Sequence, residues 1–327
     1  MISKQQNKTK VIRFTSALKK ISSKIKFRSH MITLLAVYAI LIIVSYEFIY
    51  PLMRMLAMSM MSPEDIINPT VEWIPKKLSF TNLTVAAKVL KFPLTLINSI
   101  WFSGLMAACQ TVVSAFTGFA FARFNFRFKK FWFLMMLLSF VIPVPLVLIP
   151  RVMMFVNVQQ SLGIQMIGTV IPQTLLSAFG QGIYSTILIL IFYRFFCLIP
   201  ITLDEAASID GASPVQIFFH IAIRMSLSTI LVVFLLSMVW NWNETYVTST
   251  FLRNGIQLLP TQLNTFDSTF GTVAGAMSQQ GKGGEMRINE AYKMAATLIS
   301  IAPLLILYTF VQKRFIEGIE SAGITGE

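Results

Sequence analysis

Glu205 to Ile223 reads EAASIDGASPVQIFFHIAI and forms a polar island between long apolar runs. Just upstream, Thr202 and Glu205 follow Pro200 at the spacing of a capping box, in which the Thr hydroxyl and the Glu carboxylate satisfy free backbone N–H groups. We therefore expect a helix to begin near Leu203.

A second helix should follow a tight turn at Gly211, because glycine accepts the left-handed conformation that ends many helices. Ser213, Pro214 and Gln216 then repeat the start pattern, with Ser as the cap, Pro at the first helical position and Gln at the third. The segment at about 199–224 is therefore predicted to be a bent pair of short helices, which we call the knuckle.

One face of the first knuckle helix carries small side chains. Ala206 and Ala207 would let a partner approach the helix backbone closely, with Leu203 and Ile209 as apolar flanks. The alternative is an ordinary loop between two membrane spans. The spacing of the residues and the helix caps favour a docking element.

The composition is that of an all-α integral membrane protein. Hydrophobic residues make up 55% of the 327 residues and charged residues only 13%. Apolar runs recur at the length of about 20 helical residues that a hydrocarbon core of roughly 30 Å requires. Six spans are predicted, at 31–50, 96–121, 131–154, 168–198, 222–242 and 291–311.

Basic residues set the expected orientation. The first 30 residues contain nine Lys or Arg and no acid, and cytoplasmic loops retain such residues. The N-terminus is therefore predicted to be cytoplasmic. Because six is an even number of spans, the C-terminus would lie on the same side, and so would the knuckle, which follows the fourth span. The net charge of +13 is explained by juxtamembrane segments that face anionic lipid, which argues against nucleic-acid binding.

The knuckle resembles the EAA loop of binding-protein-dependent ABC importers. That pattern has Glu-Ala-Ala, then a Gly four residues after the second Ala, and an Ile-x-Leu-Pro further on. Glu205, Ala206, Ala207, Gly211 and Ile221 all fall on it.

Further residues narrow the resemblance to permease subunits of carbohydrate importers, particularly the maltose-permease-like subunit. These are the Asp-Gly-Ala at 210–212 and Phe218. The run FAFARFNFRFKK at 119–130 resembles the end of the family's second span and the basic turn that follows it. The chain departs from the pattern at one place, where Ile223 and Arg224 stand instead of Leu-Pro.

The resemblance implies a permease domain at 31–320, preceded by a basic cytoplasmic segment at 1–30 and followed by a short cytoplasmic tail at 321–327. It also implies a bacterial or archaeal cytoplasmic membrane. The implied ATPase-coupling residues are Glu205, Ala206, Ala207, Asp210 and Gly211.

The same resemblance implies the partners. A second permease, expected to form a heterodimer with this chain, would complete the pore, two ATP-binding cassette subunits would bind at the knuckle, and an extracytoplasmic solute-binding protein would deliver the sugar. ATP and Mg²⁺ would be used by the partner ATPase, so this chain should be a transporter subunit without a cofactor and without catalysis.

Polar residues at the end of the fifth span are candidates for the solute path. They are Asn241, Trp242, Asn243 and Glu244. Amides and carboxylates bind sugar hydroxyls, and an aromatic ring stacks on the C–H face of a sugar. The alternative is an aromatic belt at the membrane interface with polar neighbours.

Two other spans contain unusual residues. Pro143, Pro145 and Pro150 interrupt the third span, and Gln173, Gln181 and Tyr184 mark the fourth. Broken helices can expose backbone carbonyls to a cavity, although kinks also arise simply for packing.

No pattern points to catalysis or to a bound metal. The Gly-rich SQQGKGGE at 278–285 differs from a P-loop, which needs four residues between its glycines and a Ser or Thr after its Lys. Two other functions remain open: an ion-coupled secondary transporter, which would need acids within the spans, and an importer permease for another polar solute.

Overall fold

The computed structural model describes residues 2–279 and 288–321, and every regular element within them is helical. This confirms the predicted all-α class. The helices are α1 Ile2–Ser59, α2 Pro63–Ile67, α3 Thr81–Val89, α4 Leu94–Arg123, α5 Lys129–Val141, α6 Val144–Leu162, α7 Ile171–Ala178, α8 Ser185–Leu198, α9 Ile201–Ile209, α10 Pro214–Ile217, α11 Ile223–Met225, α12 Leu227–Asn243, α13 Tyr246–Leu252, α14 Leu259–Asn264, α15 Phe266–Gln279 and α16 Glu290–Ser321. A π-helical turn, Phe218–Ala222, joins α10 to α11.

Three helices are long and apolar enough to cross a membrane unaided, namely Met31–Ser59 within α1, Leu94–Arg123, and Glu290–Lys313 within α16. Three further pairs of helices reach that length and composition only when taken together, and each pair is bent at its break. The described residues therefore hold three unbroken spans, or up to six if each bent pair is one span. The predicted number of six equals the upper value.

The third predicted span breaks at Pro143, where α5 and α6 meet at 101°. A residue before proline is pushed toward extended conformations, and Ile142 has φ −68° and ψ 123°. Pro145 lies in the first turn of α6, where a missing N–H costs no hydrogen bond, and Pro150 lies inside α6. Of the three prolines, only Pro143 stands at the sharp break.

The predicted fourth span, 168–198, is not one helix. It consists of α7 and α8, separated by a connection in which Gly180 and Tyr184 have φ of +71° and +52°. An α-helix needs a φ near −63°, so helical structure cannot continue through these residues. α8 instead forms a bent pair with α9, at an angle of 71°.

α4 lies at the centre of the bundle and packs against both α8 and α12. Gly118 allows a close approach to α8, because a Cβ at this position would lie 2.7 Å from the Cβ of Phe192 and 2.9 Å from the backbone nitrogen of Tyr193. Small residues at such contacts bring helix backbones together within membranes. α1 packs against α16, and its residues 31–49 are exposed, as suits a helix that lies in lipid.

The two ends of the bundle are built differently. At one end, the last residue of α4, Arg123, contacts α9, and we call this the knuckle end. At the opposite end, the start of α4 is tied to the segment around α14. Ser99 Oγ accepts a hydrogen bond from the backbone N–H of Leu259 at 2.7 Å, and Asn98 Nδ2 donates to the carbonyl of Gln257 at 3.1 Å.

Candidate functional site

The knuckle contains two short helices, α9 and α10, joined by a turn in which Gly211 has a φ of +87°. The second helix begins as the sequence predicted. Ser213 Oγ accepts from the backbone N–H of Gln216 at 3.4 Å, and Gln216 Oε1 accepts from the backbone N–H of Ser213 at 2.7 Å. This reciprocal pair is a capping box.

The first knuckle helix begins earlier than the sequence predicted. α9 starts at Ile201, directly after Pro200, and no side chain caps it. The capping box assigned to Thr202 and Glu205 was therefore wrong. Pro200, with φ −58° and ψ 130°, already supplies the extended backbone that precedes a helix, so Thr202 falls within the first turn.

Aromatic packing fixes the second half of the knuckle to the bundle. The side chains of Ile217 and Phe218 are buried. The ring of Phe218 stacks on Phe116 at a centroid distance of 4.6 Å and meets Phe119 edge-on at 5.1 Å. Both of those partners belong to α4, so movement of α10 must also move the central helix.

An ion pair fixes the first half of the knuckle. Arg123 Nε lies 2.7 Å from Asp204 Oδ2, and the two side chains are only 10% and 16% exposed. Arg123 Nη2 also donates to the carbonyl of Ile199 at 2.9 Å. We call this contact the Arg123 latch. The sequence had placed Arg123 only among the basic residues of a turn, and no local pattern joins it to an acid so distant in the chain.

The residues predicted to contact an ATPase lie on or beside the free surface of the knuckle. Glu205, Ala206, Asp210 and Gly211 are exposed, and Ala207 is partly buried. The structure therefore leaves a small-residue face open, next to an acid at position 205, while the other side of the knuckle is held by the bundle.

The surroundings of that face are apolar and concave. Leu203 and Ile209, the predicted flanks, are 41% and 86% exposed. A wide, open groove of about 400 Å³ lies between the two knuckle helices. Its lining includes Ala207, Asp210, Gly211, Gln216 and His220.

The chain turns from the knuckle into α12 at Ser226, with a bend of 79°. Ile223 and Arg224, which replace the Leu-Pro of the EAA pattern, form part of α11. The backbone N–H of Ser226 bonds to the carbonyls of Ala222 and Ile223 at 3.0 and 3.1 Å, and Ser226 Oγ donates to Ile223 as well. The bend therefore forms without a proline.

A buried amide joins three helices in the interior. Gln110, on α4, is fully buried. Its Nε2 donates to the carbonyl of Ile183 at 2.9 Å and to Ser185 Oγ at 3.1 Å. Its Oε1 accepts from Asn241 Nδ2 at 2.8 Å and from Ser237 Oγ. All its hydrogen-bonding groups are thus used to hold α8 and α12 against α4.

A polar cleft opens beside this network, at the break between α5 and α6. Its volume is about 130 Å³. The cleft brings together groups that are far apart in sequence. Its polar lining includes Ser139, Arg151, Gln173, Ser177, Gln181, Tyr184, Ser185, Thr186, Asn241 and Glu244.

Only part of the predicted solute path reaches this cleft. Asn241 and Glu244 line it, whereas Trp242 is buried in an apolar cluster with Leu90 and Leu259, and the exposed Asn243 is not part of the lining. An α-helix turns by about 100° per residue, so four consecutive residues cannot share one face. The aromatic ring that the sequence placed at position 242 is instead supplied to the cleft by Tyr184.

Arg151 and Gln173 keep polar atoms that have no hydrogen-bond partner among the described residues. Arg151 Nη1 and Nη2 donate to the carbonyl and the Oε1 of Gln181 at 3.3 and 3.0 Å. Gln173 Nε2 donates to Thr248 Oγ1 at 3.0 Å, while its buried Oε1 has no hydrogen-bond partner. Gln173 and Gln181 stand out in the sequence as polar residues of a span, whereas Arg151 was not predicted to take part in the solute path.

The described part of the chain contains no group of three or more His, Cys, Asp or Glu side chains that could hold a metal ion. The Gly-rich segment at 278–285, which the sequence analysis compared with a P-loop, begins at Ser278 and lies mostly outside the described residues.

Comparison with known proteins agrees with the all-helical membrane architecture. The family profile described as "Binding-protein-dependent transport system inner membrane component" matches residues 110–321. The arabinooligosaccharides transport system permease protein AraQ of Halalkalibacterium halodurans is 24% identical over 70% of this chain and 73% of its own length. The sn-glycerol-3-phosphate transport system permease protein UgpE of Pectobacterium atrosepticum is 28% identical over the same shares of the two chains.

A solved structure has the same fold. It is that of a bacterial ABC transporter involved in the import of the acidic polysaccharide alginate, and its matched chain superimposes with a TM-score of 0.68. The match covers 88% of this chain and 98% of the other at 20% identity.

Proposed function

The chain belongs to the family of binding-protein-dependent transport system inner membrane components, and we propose that it forms half of the translocation pathway of an ATP-driven importer for a sugar or oligosaccharide. The chain is a multi-pass membrane permease subunit. The names of relatives that carry arabinooligosaccharides and alginate support a carbohydrate cargo. The alternative is an importer for another polar solute, because the relative UgpE is named for the transport of sn-glycerol-3-phosphate.

We propose that the knuckle is the coupling element. The observation that carries this proposal is the combination of a free face, at Glu205, Ala206 and Gly211, with two rigid attachments on the other side. The Arg123 latch and the Phe218 stack connect the knuckle to α4. A force applied to the free face by a closing ATPase would therefore reach the central helix as a rigid-body movement.

The proposed assembly follows from this role. A second permease completes the pore, two ATP-binding cassette subunits bind at the knuckles, and an extracytoplasmic binding protein delivers the solute. ATP and Mg²⁺ are used by the ATPase partners. Both termini lie in the cytoplasm in this proposal, because the basic residues 123–130 and the knuckle share one end of the bundle.

We propose that the cleft is this subunit's part of the solute path. Asn241, Glu244 and the free Oε1 of Gln173 can bind hydroxyls, and the rings of Tyr184 and Phe140 offer apolar surface. Trp242 and Asn243 lie outside the lining and have no part in the proposed path.

The test is a co-purification of the tagged, detergent-solubilised chain from its own membranes, with the wild type compared with Gly211→Asp. Asp at position 211 would have to adopt a φ of +87° and would add a charge to the knuckle groove. Gly211→Ala is the matched control, because it adds the same strain without the charge. We expect an ATPase and a second permease with the wild type and loss of the ATPase from Gly211→Asp.

A second variant, Glu205→Ala, changes an exposed side chain and leaves the fold intact. We expect normal membrane insertion but ATP hydrolysis that no longer drives uptake. Normal uptake in both Glu205→Ala and Gly211→Asp would refute the coupling role. Uptake by the chain alone under an ion gradient, without ATP, would favour a secondary transporter instead.

A further inference from the structure

Arg151 is the one cationic side chain among the residues that line the cleft, within the described part of the chain. It lies on α6, about two turns beyond the break at Pro143, and it is half-buried. A charged group within a membrane span is costly unless it is paired or faces water, and such groups usually mark the path of a substrate or ion.

The guanidinium is held in place but is not neutralised. Two of its five N–H donors bind Gln181, which leaves three without a partner among the described residues. The bonds to Gln181 fix the plane of the group, because the Gln181 backbone carbonyl and side-chain oxygen are both used. A planar donor group that is fixed in this way can bind both oxygens of a carboxylate at once.

The acid in the same cleft does not neutralise Arg151. Glu244 and Arg151 form no ion pair within 4.0 Å, since the ion pairs of the described residues are Arg123–Asp204 and Lys293–Asp267. Glu244 Oε1 instead accepts from the backbone N–H of Val247 at 2.8 Å, in the first turn of α13. One carboxylate oxygen is therefore engaged by the protein, and Glu244 and Arg151 line the same cleft without pairing with each other.

A second free group lies on the wall of the same cleft. Gln173 is 4% exposed, and its Oε1 lacks a hydrogen-bond partner although its Nε2 is bound to Thr248. A buried polar atom is nearly always satisfied in a folded protein, so Gln173 Oε1, on a residue that lines the cleft, needs a hydrogen-bond donor from water or from a bound solute. An acceptor on Gln173 and donors on Arg151 match a solute that carries hydroxyl groups and an anionic group together.

We propose that Arg151 binds the carboxylate of an acidic sugar, so that the solute is an oligosaccharide containing uronic acids rather than a neutral one. This inference rests on the proposed function and names its class of substrate. Arg151 forms charge-assisted hydrogen bonds to the carboxylate, Gln173 accepts a sugar hydroxyl, and Gln181 positions Arg151.

The experiment uses the complete importer, purified with its partners and binding protein and reconstituted into liposomes with ATP inside. The probes are trigalacturonate and its methyl ester, which have the same sugar backbone with and without charge. Uptake is compared for the wild type and for Arg151→Gln, Arg151→Lys and Gln181→Ala. Gln181→Ala tests the contribution of positioning, because it removes the side-chain bond to Arg151 but keeps the backbone carbonyl bond and the cation.

We expect the wild type to prefer trigalacturonate over its ester, and Arg151→Gln to lower the maximal uptake rate of trigalacturonate by about 10-fold or more while sparing the ester. For Arg151→Lys, the maximal uptake rate of trigalacturonate should lie between those of the wild type and Arg151→Gln, because lysine keeps the charge but lacks the planar donor group. The KM should change little, because the binding protein captures the sugar first.

Three results would overturn the inference. The first is a wild-type preference for the ester. The second is an equal loss of both probes in Arg151→Gln, reproduced by Gln181→Ala, which would make Arg151 a structural residue. Both of these leave ATP-driven sugar uptake, and hence the proposed function, intact. The third is an absence of ATP-driven uptake of either probe by the wild type, which refutes a uronic-acid solute but leaves an ATP-driven importer of another solute standing.

Discussion

The knuckle and the cleft lie in different parts of the same bundle and are built in opposite ways. The knuckle is one continuous segment, exposed on one side and fixed to α4 on the other by the Arg123 latch and the Phe218 stack. The cleft is assembled from three separate stretches of sequence, 139–151, 173–186 and 241–247, and its wall depends on the buried amide of Gln110.

This difference indicates how the two regions can move. The knuckle is a rigid projection, so its position changes only if α4 changes with it. The cleft lies at the Pro143 break and at the connection between α7 and α8, where the helices are already interrupted. Interrupted helices are where a bundle changes shape with little loss of packing. Variants in the knuckle should therefore change coupling, and variants in the cleft should change the solute.

Removing the Arg123 latch should give the largest effect. Arg123→Ala leaves the carboxylate of Asp204 largely buried without its partner, and breaking a buried ion pair costs about 3–5 kcal/mol. We expect ATP-driven uptake to fall by about 100-fold. ATP hydrolysis by the co-purified complex should persist, because the free face of the knuckle is unchanged. The measurement is the ratio of solute transported to ATP hydrolysed.

The control for the latch is the charge reversal Arg123→Asp with Asp204→Arg. If the ion pair itself matters, the double variant should recover part of the uptake lost by either single variant. A double variant no better than either single variant would assign the effect to packing around Arg123.

Gln110→Leu should come next in size and should affect the cleft alone. The change removes the acceptor of Ser237 Oγ and the donor to Ser185 Oγ and to the Ile183 carbonyl, and each lost partner in the interior costs about 1–3 kcal/mol. Asn241 Nδ2 keeps its bond to the Ser237 carbonyl. We expect a lower melting temperature in detergent and slower uptake, with an unchanged amount of ATPase in the co-purified complex. Loss of the ATPase would contradict the separation of the two regions.

Gly182→Ala should have a smaller effect at the same place. A Cβ at this position would lie 2.2 Å from Gln110 Nε2, and Gln110 cannot move away because its bonds hold three helices together. Overpacking of this kind costs about 1–3 kcal/mol. Gly104→Ala, also in the bundle, is the matched control, since its Cβ would meet nothing within 4 Å. Equal melting temperatures for the two variants would show that the wall of the cleft is loosely packed.

The sequence predicted the knuckle better than the cleft for a physical reason. A cap, a proline and a glycine act on their immediate neighbours. The turn at Gly211 and the start of α10 at Ser213 and Pro214 can therefore be predicted from the local sequence alone. Even in the knuckle, the start of α9 was predicted near Leu203, whereas the helix begins at Ile201. The prediction relied on a side-chain cap, but the extended backbone of Pro200 begins this helix without one.

The cleft depends on contacts between segments that are far apart, and no local pattern encodes them. Gln110 and Asn241 are 131 residues apart, yet they share a hydrogen bond of 2.8 Å. The sequence marked Asn241, Glu244, Gln173 and Gln181 as unusual within spans. The sequence did not show that Trp242 lies outside the solute path. Its side chain packs against α3 and α16 instead.

Ser213→Ala should give the smallest effect and tests whether the knuckle is as rigid as its attachments suggest. The change removes the cap on α10, which is worth about 1 kcal/mol in typical helices. Ile217 and Phe218 remain buried against α4, so α10 should keep its position and uptake should fall by less than about 2-fold. The measurement is uptake at two temperatures, because a frayed helix would lose more at the higher one. A large loss at both temperatures would mean that the cap, rather than the packing on α4, orients the coupling face.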